Sequence, residues 1–454
     1  MIKYIKAKLD KIGSVDYASI CAHENKVCSI SFSGKELENI GTHQGFGGNI
    51  RVCHKGGWGF VSFNDLSDID KNIKTACMHA GLIGNSRTVL SPLTPVREYI
   101  KASVECDPGT LSLEEKEALT RKYNTMILGN SRIQTSSVRY QDSFTRKHFV
   151  CTDGSVITQE IIRTGIMFMA SARDGTNIQS VFSSYGDNKG FEIVRNLEDL
   201  VEKAVKDVLD QLSAPKVTGG RYTVILDPEL AGVFAHEAFG HMSEADFIYD
   251  NPPWKEKMKL GARFGVENLN IVDDAGIPSA RGSYAYDDEG FPAQKTYLLK
   301  NGILNARLHS RETAGKMGEN PTGNARAINY NFQPIVRMSC TYIEPDNHGN
   351  SFEEMVSGID KGIYAVGMQG GNTDLEMYTF SAKKGFLIKN GKIDCLVRDV
   401  VLTGNLFETL HNIDAIGNDF KLYGGLGGCG KGGQSPLPVS DGGPHIRVKN
   451  VLIG

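Results

Sequence analysis

The sequence predicts an α+β protein of 454 residues, built as two smaller α+β units followed by a strand-rich C-terminal domain. Three observations predict this. Helical-period and alternating segments interleave through residues 1–215, as in α+β architectures. Proline- and glycine-rich punctuation falls near residues 105 and 215. Beyond residue 216, short strand-like runs separated by Asn-Gly turns replace long helices, and most of the glycine excess is there (51 glycines in all).

The first unit, 1–105, opens on Met1–Lys11, where charge interleaves with apolar residues as on an amphipathic helix. Strand alternation follows in Val27–Phe32, Gly48–Cys53 and Trp58–Phe63, then a helix over Leu66–Leu82. Pro92, Pro95 and the Asp107-Pro108-Gly109 turn end the unit. The second unit, 106–215, begins with a helix through Leu128, because Ser112 followed by Glu115 fits a capping box. Strands are expected at Ser136–Tyr140, Arg146–Cys151, Val156–Ile162 and Ile166–Ala172, with a hairpin turn at Asp153-Gly154. Leu197–Leu212 has an apolar stripe at helical spacing and stops at Pro215. In the third unit, 216–454, Tyr222–Leu226 reads as a buried strand. Asp227-Pro228-Glu229 then supplies an N-cap, a first-turn proline and a first-turn acid for the next helix. Thr296–Leu304 and Gly385–Ile393 are hairpins of one design, each turning at Asn-Gly, and Asp399–Thr403 and Ile446–Leu452 are further strands.

Composition bounds the function. With 50 basic and 53 acidic residues the formal net charge is −3, which gives no bulk attraction to nucleic acid. No apolar run is long enough for a membrane span, and the N-terminus lacks the continuous apolar core of a secretory signal. The nine cysteines are odd in number and without paired spacing, a reduced-thiol pattern that predicts a cytoplasmic protein.

The strongest chemical signal is Phe234-Ala-His236-Glu237-Ala-Phe-Gly-His241. Two histidines with a glutamate after the first suit a zinc hydrolase: imidazoles bind the cation and the carboxylate takes a proton from activated water. The spacing is i,i+5 in place of the familiar i,i+4. On a regular helix i+4 is displaced by about 40° and i+5 by about 140°. A shared metal therefore requires a π-bulge or a helix end near Gly240; otherwise these are two ordinary helix histidines. A catalytic zinc keeps a third protein ligand. Glu244, three residues after His241, and Cys429, inside the glycine-rich run Tyr423–Pro436, both compete for that place.

The chain resembles the TldD/PmbA family, formerly labelled modulators of DNA gyrase and regarded as metallopeptidases. The resemblance is carried by His236–His241, Arg281–Gly290, Leu308–Thr313, Pro321–Arg326, Gly417–Asp419 and Cys429–Gln434, in the family's order, and covers most of the chain. It implies that His236, His241 and Cys429 bind Zn²⁺ and that Glu237 is catalytic, and it favours Cys429 over Glu244. The PmbA/TldE branch lacks the His-Glu motif, so this chain resembles the active, TldD-type branch. The C-terminal domain is then the catalytic domain, and the expected activity is hydrolysis of unfolded or short peptides. A homodimer, or a heterodimer with a PmbA/TldE-type paralogue, is implied as well. A strand-rich domain could hold an extended peptide by adding it to a sheet edge. Two other readings compete: a zinc hydrolase of a non-peptide amide or ester, and a binding or regulatory protein with a structural zinc, which Glu244 would close as a fourth ligand.

Other residues carry weaker signals. His309 and Arg311 could contact substrate or simply satisfy a helix end. Asp287-Asp288-Glu289 lacks the ligand rhythm of a calcium loop and reads as a charged turn. His411 and His445 read as structural, with support of the site as the alternative, and Lys431 and Gln434 could hold the Cys429 loop or contact substrate.

Overall fold

The computed structural model describes all 454 residues. The first two units build a single seven-stranded sheet. Its central strands, Tyr17–Ser33 and Ile133–Cys151, pair antiparallel over fifteen positions, so the units are joined edge to edge. Glu36–His54 and Gly57–Phe63 extend one side; Val156–Asp174 extends the other and carries Asn177–Asp187 and Arg97–Ile100.

Strands are longer than their local patterns predict. Ser136–Tyr140 and Arg146–Cys151 are parts of one 19-residue strand, and Val156–Ile162 and Ile166–Ala172 of another. The reason lies in the two faces of the sheet. Along Tyr17–Ser33 the even residues Ala18, Ile20, Ala22, Cys28, Ile30 and Phe32 pack under helices Ile2–Leu9, Ile69–Ile83, Leu113–Leu128 and Glu198–Ser213. The odd residues Tyr17 and Cys21, with Phe149 and Cys151, face the C-terminal domain. Both faces are covered, so the alternation that marks a half-exposed strand is blurred. The capping box at Ser112 and Glu115 and the turn at Asp153-Gly154 form as expected, with Gly154 at φ +102°.

The C-terminal domain has two large sheets and two small two-stranded ribbons. Gly220–Leu226, Ile446–Ile453, Val401–Asn405, Met377–Lys389 and Lys361–Asp374 form a closed ring, because the last strand pairs back to the first. A six-stranded sheet contains Ile271–Asp274, Cys340–Ile343, Ser440–Gly443 and Lys421–Tyr423. Both Asn-Gly hairpins form, with positive φ at Asn301, Gly302, Asn390 and Gly391 as a type I′ turn requires. No helix is long and apolar enough to cross a membrane.

Candidate metal centre

The strand Gly220–Leu226 feeds the helix Pro228–Ala235. Asp227 caps it, accepting from the Leu230 and Gly367 amides at 2.9 Å each, so the cap also ties the helix to the ring. Gly232 lets the helix lie directly on Ser440–Gly443: a Cβ there would sit 2.2 Å from the Gly442 nitrogen. That contact brings Asp441 beside the helix.

The helix does not continue regularly. His236–Gly240 is a π turn, closed by the His241 amide donating to the His236 carbonyl. The i→i+5 bond widens the turn and brings residues five apart into line. His236 and His241 consequently lie with ring centroids 5.1 Å apart. Gly240 is needed for space, since a Cβ would meet Met338 Sδ at 1.9 Å.

Cys429 arrives from the other end of the chain on a hairpin, Cys429–Lys431 with Gln434–Leu437, turning through Gly432 and Gly433 at φ +57° and +75°. One donor atom each from His236, His241 and Cys429 lies within 4.8 Å of the others, and Cys429 Sγ is 3.4 Å from His241 Nε2. The remaining ring nitrogens are occupied: His236 Nδ1 donates to Asp441 Oδ1 at 2.7 Å, and His241 Nδ1 to Glu244 Oε2 at 3.0 Å. Carboxylates placed in this way fix the tautomer and leave Nε2 free for a metal. Two imidazoles and a thiolate suit zinc.

Without a metal, the cluster pairs a thiolate with imidazoliums, whose protons a metal would displace. Burial pushes the Cys429 thiol up, but the two imidazoles outweigh it and bring it to about 5. Burial pushes His236 down, but Asp441 and Cys429 outweigh it and hold it well above its ordinary value. His241 is likewise raised, to about 9, by Cys429 and Glu244. The thiolate form needed for a soft cation is therefore favoured at neutral pH.

Around the three donors, Arg337 carries no motif of its own, whereas Lys431 and Gln434 hold the Cys429 loop, one of the roles their positions predict. Arg337 is fully buried without a carboxylate partner and donates to the Cys429 carbonyl at 2.8 Å and the Gln434 carbonyl at 3.2 Å. Lys431 reaches Asp246 at 2.6 Å, Glu244 at 3.0 Å and the Val336 carbonyl at 2.9 Å, joining the hairpin to the segment after the histidines. Gln434 holds the hairpin through the Ile328 amide and the Gln333 carbonyl. A lone arginine or aspartate in a long chain gives no sequence signal for such roles.

Glu237 is half-buried and lines, with His236, His241 and Cys429, a cleft of about 1300 Å³. The cleft is walled by Phe182 and Tyr185 of the N-terminal sheet and by Val366 and Met368 of the ring. The loop before Cys429 crosses between them: the Leu426 amide donates to Ser184 Oγ at 2.7 Å.

Other candidates lie elsewhere. His309 is buried between Thr313 and Glu319. Arg311 pairs with Asp153 at 2.7 Å and stacks over Tyr17, joining the units. Asp287 and Glu289 are buried, not a solvated turn, and Glu289 pairs with Arg51 at 3.0 Å. His445 lines the cleft, held by Asp419 at 2.7 Å and Tyr364 at 3.0 Å. His411 ends the helix Leu406–His411.

Comparison with known proteins agrees along the whole chain. Residues 18–80 match PmbA/TldA metallopeptidase domain 1, 106–212 the central domain, and 219–454 the C-terminal domain. A Synechocystis metalloprotease is 43% identical over 442 residues, covering 97% of this chain and 95% of its own. A Saccharolobus solfataricus protein named zinc metalloprotease TldD homologue is 29% identical over 462 residues, covering 100% and 99%. Among solved structures, a Thermotoga maritima protein described as a modulator of a DNA gyrase superposes with TM-score 0.82 at 23% identity, covering 100% and 99%. TldE from Thermococcus kodakarensis gives 0.77 at 18% identity, with 100% and 99% covered. With all three of its domains present in order, this chain belongs to the PmbA/TldD family of metallopeptidases.

Proposed function

We propose that the protein is a zinc peptidase acting on unfolded or short peptides, with His236, His241 and Cys429 as metal ligands and Glu237 as general base. The observation that carries this reading is the convergence of those three side chains, from sequence positions nearly 200 apart, on the cleft that Glu237 also lines. When bound, Zn²⁺ supplies a Lewis acid that acidifies water and polarises a carbonyl. Glu237 accepts the proton of the attacking water and returns it to the leaving amine. Asp441 and Glu244 hold the two imidazoles in the tautomer that presents Nε2, and Arg337 and Lys431 hold the Cys429 hairpin in place. Glu244 Oε2 is engaged by His241 Nδ1 and Lys431, which favours an orienting role over a fourth ligand and so favours a catalytic over a closed structural site.

The outer edge of Asn177–Asp187 pairs with no other strand, and its residues Phe182–Tyr185 line the cleft. An extended peptide can add there through its backbone, with little demand on its side chains. The likeness to TldE supports a paired assembly with a second copy or a TldE-type paralogue, and the boundaries near residues 105 and 215 complete this reading.

The test is Glu237→Gln. Zinc content should stay near one per chain while cleavage of an unstructured polypeptide falls by about 10³-fold. Wild-type cleavage rates in that variant would refute the mechanism even with zinc in place.

A further inference from the structure

A second cavity, of about 100 Å³, lies between the N-terminal sheet and the C-terminal domain. Leu437, which pairs with Cys429, and Pro438 form part of its wall. It is large enough for a few waters or one small ion, and its charges do not balance.

Lys147 and Asp288 line it and neutralise each other at 2.7 Å. Asp287 turns its carboxylate onto the Glu289, Phe291 and Ala325 amides, and burial with the nearby Glu289 charge pushes it well above the carboxylate range. His23 is driven down to about 3 by burial and so is neutral. Two cations remain. Arg326 donates to the Met338 and Pro438 carbonyls and lies over the Tyr284 ring, and none of these partners carries a counter-charge. Arg163 makes no ion pair, and its Nε is buried without a hydrogen-bond partner. Burial and the guanidiniums of Arg281 and Arg326 pull Arg163 down to about 9, as expected for a cation lacking a counter-charge. Arg281 is itself buried, with an unpartnered Nε. A covered guanidinium without an acceptor is costly, and guanidinium forks match oxyanions.

We propose that this cavity is a binding site for a small oxyanion, a phosphate or a carboxylate, held between the guanidiniums of Arg163 and Arg326. Bound there, the anion would bridge the N-terminal sheet and Arg326, which also holds the Pro438 carbonyl just after the Cys429 hairpin. The proposal is independent of the metal chemistry, since none of its residues is a proposed ligand.

The test uses zinc-loaded protein in chloride buffer, titrated separately with inorganic phosphate and with acetate, by calorimetry and by thermal melting. One anion should bind per chain with Kd of about 1 mM or tighter, raising the melting temperature. Binding of phosphate alone identifies a phosphate site, and binding of acetate as well identifies a carboxylate site. Arg163→Met should weaken binding at least about tenfold and, without anion, melt ~2 °C above wild type because an uncompensated buried cation is gone. Arg163→Lys, which keeps the charge, should retain weaker binding and serves if the methionine variant does not fold. No binding of either anion, or equal binding by wild type and the Arg163 variant obtained, would overturn the proposal.

Discussion

The two halves of the molecule solve different problems with strands. The N-terminal sheet uses strands of up to 19 residues in nearly unbroken antiparallel register, with four helices on one face. The C-terminal domain uses mostly short strands, apart from the pair Lys361–Asp374 and Met377–Lys389, and mixes parallel with antiparallel pairing. Long regular register makes a stiff wall but delivers few side chains to one point. A short helix ending in a π turn and a short hairpin bring residues 236, 241 and 429 to one place, at the cost of close backbone contacts such as Gly232 on Gly442. The cleft lies where the two meet, so the wall shapes one side and the C-terminal domain lines the other with His236, Glu237, His241 and Cys429.

This division can be tested from both sides. The largest effect is expected for His241→Ala, which should remove both zinc and peptide cleavage, because two remaining ligands hold zinc poorly. Hydrogen exchange in the N-terminal sheet should be unchanged; loss of protection there would show that the halves are not separable. Conversely, Lys116→Met should strike the wall alone. Lys116 pairs with Asp142 at 2.7 Å inside the N-terminal core, where Tyr140 also donates to Asp142 at 2.6 Å. Leaving Asp142 without its cation should lower stability by ~3 kcal/mol, measured by urea unfolding, with kcat per folded chain unchanged.

Gly232→Ala sharpens the comparison by acting only on the close contact. The added methyl must push the helix off Gly442, costing ~2 kcal/mol and loosening the Asp441–His236 bond. Zinc affinity, read by competition with a chelator, should fall with stability, whereas Lys116→Met should leave it alone. The smallest effect concerns the cap. Burial raises Asp227 to about 6, above its unfolded value of 3.8. The folded state therefore favours the protonated form, and that stability is lost as pH rises through about 6. Asp227→Asn removes this dependence. Between about pH 5 and pH 7 the variant should gain ~1 kcal/mol relative to wild type, and a constant difference would show that the aspartate does not titrate there.

How much was legible beforehand depended on how local the cause was. The Ser112 box, the Asn-Gly turns and the Asp227-Pro228 helix start are set by adjacent residues, and each formed where its residues predict. The i,i+5 spacing of His236 and His241 predicted irregular geometry, and the π turn supplies it. Strand lengths in the N-terminal sheet were under-read because strands covered on both faces lose period-two alternation, and Asn177–Asp187 and Lys361–Asp374, both partly exposed, were missed. The burial of Asp287 and Glu289 was missed because their partners lie in distant segments.

The sequence by itself determined the chemistry on offer: a His-Glu-His segment that can work only on a widened helix, and a cysteine in a glycine-rich run able to reach it. Local hydrogen bonding and steric limits act over a few residues and leave their mark in order and spacing. Only the tertiary structure decided which groups surround them. Asp441 on His236, Arg337 on the Cys429 carbonyl and the unpaired Arg163 all follow from contacts between distant segments. Those contacts depend on how sheets stack and where burial strips water from a charge, and neither is encoded at any one position of the chain.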